Sequence, residues 1–128
     1  MRSRVDTRSK ILTLSAAEAL APPLILVTGY FDVLRGWHLI ELQQLRERAR
    51  GAKVLVALLA APGELMDSRS RAELVAALRM VDYVVTANRD QLDGFIQRLR
   101  PVELARLDGE ELGRRKQLIE DVQRRQHQ

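Results

Sequence analysis

Cysteine is absent from the 128 residues. That excludes disulfides, thiolate metal ligands and a cysteine nucleophile, and it agrees with a cytoplasmic setting. Aromatic residues make up only 4% of the chain: one Trp, two Tyr and two Phe. So small a set gives little basis for a platform on which nucleic-acid bases stack, so nucleic acid is not the expected partner. No apolar run approaches the ~20 residues of a membrane span. The basic N-terminus is followed by no long apolar segment, so a secretory signal is not expected. The two histidines, His38 and His127, lack companion ligands at metal spacing, so no protein-held metal site is expected. There is no G-x-G-x-x-G, no G-x-x-x-x-G-K-[ST] and no G-x-S-x-G. The dinucleotide, P-loop and serine-hydrolase fingerprints are therefore missing. Serine and threonine do not occur after Thr86, and lysine occurs only as Lys10, Lys53 and Lys116.

What is present fits one ordinary domain over residues 1–128. Apolar residues are 46% and charged residues 30%, enough for a packed core under a charged surface. The net charge is +4, and it is concentrated at the ends. Residues 1–10 hold four basic residues and one acidic; residues 98–128 hold eight basic and six acidic. Arginine-rich termini are read either as solvated ends or as an attraction for phosphorylated ligands. Residues 1–9 are polar and read as flexible.

Apolar runs and turn signals give the order of elements. Ser15-Ala16-Ala17-Glu18 is a capping-box pattern for a short helix over 16–21, ended by Pro22-Pro23. Leu24–Gly29 and Lys53–Leu59 are short continuous apolar runs, the pattern of parallel strands covered on both faces. Between them a helix is expected from His38 to Arg50, stopped by Gly51. A loop after Ala60 is expected to reach about Arg69. Ser70-Arg71-Ala72-Glu73 caps a helix over 71–80. Residues 81–86 form a third strand, and a helix follows with Leu92, Phe95, Ile96 and Leu99 on one face. Residues 102–107 read as a weak fourth strand near an edge. Residues 110–128 hold a polar C-terminal helix. Strand–helix alternation implies an α/β, Rossmann-like, doubly wound and mostly parallel sheet of four or five strands.

The stretch Leu24–Arg50 organises the chain. A buried strand runs into a short loop, then into a helix. That order aims loop N–H groups and a helix N-terminus at one place outside the sheet's carboxyl edge, where phosphates bind in α/β proteins. The loop and helix start, Gly29-Tyr30-Phe31-Asp32-Val33-Leu34-Arg35-Gly36-Trp37-His38, resemble the G-x-F-D-x-x-H-x-G-H signature of the cytidylyltransferase-like nucleotidyltransferases. The sugar-phosphate and glycerol-phosphate members, with the nucleotidyl-transferring half of ADP-heptose synthases, are the nearest in pattern. Gly29, Phe31, Asp32 and His38 match. Arg35 stands where the signature has its first histidine, and Trp37 where it has glycine. The likeness extends to Arg71–Leu78 followed by Val81-Asp82-Tyr83-Val84-Val85, and to Arg100-Pro101-Val102.

The resemblance implies an adenine nucleotide alpha hydrolase-like fold of the H-x-G-H type. It implies transfer of CMP or AMP from CTP or ATP to a phosphorylated sugar or polyol, with Mg²⁺ and release of pyrophosphate. It implies biosynthetic work and a homodimer. By that reading His38 and Arg35 are the catalytic candidates, while Gly29, Tyr30, Phe31, Asp32, Trp37 and Arg71 form the nucleotide site. Six of these eight have alternative readings. Arg35 contacts a phosphate or is simply exposed. Trp37 occludes the site, stacks on a base or packs on a neighbouring loop or subunit. His38 donates to an anion or caps its helix. Asp32 binds loop N–H groups or helps place a ligand or Mg²⁺. Phe31 belongs to the core, and Arg71 faces the site or lies on the surface. The signature's late I-S-S-T-x-I segment has no counterpart after Asp108. The rival reading is therefore a degenerate member that binds nucleotide or protein without turnover.

Overall fold

A computed structural model describes residues 6–49, 51–60 and 67–126, with the side chains of 115, 116, 118 and 119 outside the description. The first strand, β1 (Leu24–Gly29), is buried at all six positions. It is central because both of its edges are paired. On one side it runs parallel to β2 (Lys53–Leu59), on the other to β4 (Glu103–Arg106). β2 pairs in parallel with β3 (Tyr83–Ala87), giving the order β3-β2-β1-β4. The sheet is thus the α/β, Rossmann-like arrangement expected, with four parallel strands among the described residues. The chain steps outward from β1 to β3, then returns to the far side of β1 as β4. The strand order reverses there, and the crevice at that point is where such sheets bind ligands.

Helices cover both faces. α1 (Leu14–Glu18) and α4 (Arg89–Leu99) lie over Leu24, Leu26, Leu55, Leu59 and Val85. α2 (Gly36–Arg48) and α3 (Ser68–Ala76) lie over Ile25, Val27, Val54 and Val56. Alternate residues of each strand point to opposite faces, so both faces of a doubly covered strand must be apolar. α5 (Leu107–Gln126) follows β4 directly, with no loop between them. Its first residue, Leu107, is buried in the α2–α3 face.

Several boundaries differ from the sequence expectations, for local reasons. α1 starts at Leu14 because the Thr13 hydroxyl, not Ser15, accepts the Ala16 N–H at 3.1 Å. α3 starts at Ser68, three residues before Arg71, because Asp67 caps it through the Ser70 N–H at 2.7 Å. α2 starts at Gly36 and ends at Arg48, with Ala49 as its C-cap. Gly51 takes the left-handed φ of +80° just beyond, where glycine carries no Cβ penalty. The third strand starts at Tyr83, not at residue 81. The weak strand is shorter, and the C-terminal helix starts three residues earlier, because Leu107 packs inward from the helix.

The segment expected to be flexible spans residues 1–9. Residues 1–5 lie outside the described residues, but Thr7–Lys10 form a 3-10 turn. Lys10 Nζ donates to the Leu78 and Val81 carbonyls, and Ile11 bridges in parallel to Val84 on the outer edge of β3. Of the loop expected from Ala60 to about Arg69, residues 61–66 also lie outside the described residues, while Ser68 and Arg69 belong to α3.

Candidate functional site

The loop between β1 and α2 opens at the reversal point of the sheet. Gly29 ends β1 in a place no side chain can share. A Cβ there would stand 2.6 Å from Phe31 Cε2 and 2.8 Å from Glu111 Oε1. Phe31 turns the chain with a φ of +50°, a conformation a bulky residue rarely adopts. Its ring is fully buried in the α2–α3 face, and this anchors the turn. Backbone strain of this kind persists only where the surroundings over-determine it, commonly at ligand sites.

The turn aims two successive backbone N–H groups at one point. Tyr30 N donates to Glu111 Oε1 at 2.7 Å, and Phe31 N donates to Glu111 Oε2 at 2.8 Å. Consecutive N–H groups converging on one anion form a nest, the arrangement that backbone uses to hold phosphate or carboxylate. His38 completes it. Its Nδ1 accepts the Arg35 backbone N–H at 3.0 Å. In the neutral ring the proton therefore sits on Nε2, which donates to Glu111 Oε2 at 3.1 Å. His38 is thus both a reverse cap of α2 and an anion donor. The histidine is 2% exposed and the glutamate side chain 11%, so this contact is largely out of water. Charge-assisted hydrogen bonds are stronger where water is excluded.

The side chains around this nest divide into those that meet at the anion and those that do not. Trp37 stacks on His38 with ring centroids 3.9 Å apart, and Phe31 flanks the same imidazole at 5.0 Å. The Arg114 guanidinium stands 4.6 Å from the Trp37 ring centre, within cation–π range. Trp37 therefore packs within its own chain and covers the outer side of the histidine. Its indole N–H has no hydrogen-bond partner among the described residues. Arg35 is exposed at the lip of the loop; its backbone, not its guanidinium, makes the described contact with His38. Asp32 is half-buried beside Phe31.

Arg71 is neither a surface arginine nor part of the nest. It is 1% exposed, and its Nη1 donates to the Tyr30 carbonyl at 2.6 Å and the Leu59 carbonyl at 2.8 Å. It ties the carboxyl ends of β1 and β2 together beneath the site. Tyr30 contributes its N–H to the nest, while its hydroxyl accepts from Arg89 at 2.6 Å.

Sequence reasoning missed Glu111, Asp108, Arg89 and Thr28. Asp108 Oδ1 accepts the Thr28 hydroxyl at 2.7 Å, and its Oδ2 accepts Arg89 Nη2 at 3.0 Å. Burial works against ionisation of Asp108, but the hydrogen bonds from Thr28 and Arg89 outweigh it and hold the carboxyl below its ordinary range. This network pins the first turn of α5 to β1 and α4. The one signal in the sequence was the acidic run Asp108-Gly109-Glu110-Glu111, which by itself reads as charge complementing a helix N-terminus.

No trio of His, Asp, Glu or Cys able to hold a metal ion occurs among the described residues. The nest's own hydrogen-bond donors are one histidine N–H and two backbone amides, which suit an anion. No helix among the described residues is long and apolar enough to cross a membrane.

Comparison with known proteins places the chain among proteins of related sequence and fold. No family model matches it. It is 30% identical over 105 residues to an FAD synthase of Methanohalophilus mahii, covering 79% of this chain and 73% of that protein. It is also 30% identical over 109 residues to a D-beta-D-heptose 1-phosphate adenylyltransferase of Bordetella bronchiseptica, covering 77% of this chain and 66% of that protein. Among solved structures it resembles the lipopolysaccharide core biosynthesis protein from Thermoplasma volcanium, with a TM-score of 0.58 at 18% identity over 64% of this chain and 71% of that chain.

Proposed function

The chain belongs to the cytidylyltransferase-like nucleotidyltransferases, and from that membership we propose that its β1–α2 loop binds the phosphates of a nucleoside triphosphate for nucleotidyl transfer. The observation that carries the reading is the convergence of Tyr30 N–H, Phe31 N–H and His38 Nε2–H on a single carboxylate. A phosphate oxygen pair can use the same three donors. The acceptor is a phosphorylated small molecule. Its phosphate oxygen attacks the α-phosphorus, the bond from that phosphorus to the α,β-bridging oxygen breaks, and pyrophosphate leaves with the electron pair. The protein's part is to position the triphosphate and to meet the negative charge that grows on it. His38, fixed in its tautomer by Arg35 N–H, supplies one donor, and the nest supplies two. Arg35 reaches the departing phosphates from the lip with a permanent charge. Mg²⁺ would arrive with the triphosphate as its counter-ion. ATP is the first nucleotide to test, because one relative is named an adenylyltransferase; CTP is the second.

A non-catalytic reading has its own support. Glu111 fills the nest, and the exposed Arg35 takes the place of a histidine. The two readings separate in one assay. Pyrophosphate release from ATP or CTP is followed with a panel of sugar and polyol phosphates, beside calorimetric binding of each nucleotide. An enzyme releases pyrophosphate with at least one acceptor, and His38→Ala lowers the rate ~100-fold, the effect of losing one such donor. Saturable nucleotide binding with no release by any acceptor identifies a binding module. Absence of both overturns the nucleotide reading.

A further inference from the structure

The N-terminal part of α5 does something that neither the loop motif nor the fold requires: it puts an anion of its own into the nest. Glu111 lies about 80 residues from the loop in sequence, yet its two oxygens take all three donors that converge there. It does not hang from a loose tail. Leu107 is buried, and Asp108 is held by Thr28 and Arg89. One turn beyond, Arg114 stands over Trp37 and pairs with Glu110. The same helix thus delivers a negative group to the nest and a positive one to the aromatic ring covering His38.

We infer that, given a phosphate-binding loop as proposed above, α5 is a self-inhibiting strap whose Glu111 carboxylate occupies the phosphate position and must leave before nucleotide binds. Three features support it. First, the geometry is competitive: two anions cannot share the Tyr30 and Phe31 N–H groups, and like charges at that distance repel strongly where water is scarce. Second, the strap has a point to bend. Gly109 separates the pinned Leu107-Asp108 pair from Glu111, and a Cβ at Gly109 would meet nothing within 4 Å. Its glycine is therefore not demanded by packing, and glycine weakens a helix. Gly113 repeats the weakness one turn later, also in open space. Third, beyond the first turn the apolar side chains of the helix among the described residues, Leu112 and Val122, are exposed. Trp37, placed where a glycine would leave the nest open, serves as the second seat of the strap.

The closed strap lowers apparent affinity in proportion to the fraction of molecules in which the nest is open. Calorimetry with ATP is made on the wild-type chain, Glu111→Gln and Glu111→Ala. Amide hydrogen exchange over residues 107–126 is measured on the wild type with and without ATP, and needs no variant to fold. The expected result is weak binding by the wild type and about tenfold or greater tightening in both variants. In the wild type, ATP should speed exchange beyond Gly109, and the fluorescence of Trp37 should change as Arg114 departs. Equal affinity in all three chains, with exchange beyond Gly109 unchanged by ATP, overturns the strap and leaves the nucleotide reading standing. No binding by any of the three up to millimolar ATP overturns both.

Discussion

At Gly29 the backbone, a phenylalanine ring and a carboxylate come closer than any added carbon permits. Gly29→Ala should therefore displace either the Phe31 ring or Glu111, since the new Cβ would lie 2.6 Å and 2.8 Å from them. Overpacking of this kind costs about 1–3 kcal/mol, measurable by urea unfolding, and it should disturb the nest even where the chain still folds. Arg71 carries the opposite risk. Its guanidinium is buried and holds two strand-end carbonyls. Arg71→Ala would leave both without their charged donor and open a hole. A loss of ~2–5 kcal/mol follows from that combination, and urea unfolding would show it. These two residues also mark how far a sequence can be read. Gly29 was legible because a motif named it. The burial of Arg71 was not, because arginine is almost always exposed and only the ends of two strands meeting beneath it create a demand for its charge. Glu111 was less legible still: its partners are 80 or so residues away, and no local pattern distinguishes it from Glu110 beside it.

Among the elements, β1, β2 and the helices between strands were legible because a strand covered on both faces has to be apolar throughout. Boundaries were less so, since the caps that set them turn on single hydroxyls and carboxylates such as Thr13 and Asp67. α5 was recognised as a helix but not as part of the site, since its sequence is polar and its role depends on where β4 delivers it. Its first turn carries a pH dependence. Asp108 is held below its ordinary range in the folded chain. The unfolded chain therefore binds a proton there first as pH falls. The stabilisation from Thr28 and Arg89 is present above the unfolded carboxyl value of about 4, and it is lost as pH drops below that through the folded value. Asp108→Asn should flatten that acid limb of a stability-against-pH curve, and the wild type should keep it. Gly109→Ala tests the same element from the other side. A residue with better helix propensity gains ~1 kcal/mol for the closed helix. The variant should melt slightly higher, while ATP affinity falls severalfold in calorimetry.

In the molecule as a whole, stability should fall from the centre of the sheet outward. β1 is buried at every position and paired on both edges, whereas Leu104 on β4 is 36% exposed at the margin. Ile25→Ala should cost ~2–5 kcal/mol, and Leu104→Ala less than about 1 kcal/mol, both read by urea unfolding. Amide exchange should show the same gradient, with β1 and β2 opening only on global unfolding. The outer margin of β3 is treated differently from that of β4. There the segment around Ile11 bridges to Val84, Leu12 N–H donates to the Val84 carbonyl at 2.7 Å, and Lys10 reaches two carbonyls beyond. An uncovered strand margin is a template on which another copy of the chain can add. The short N-terminal segment thus covers part of that margin. Removing residues 1–12 would leave the nest and its donors in place yet bare that margin, and light scattering should then show more association on standing than in the full chain.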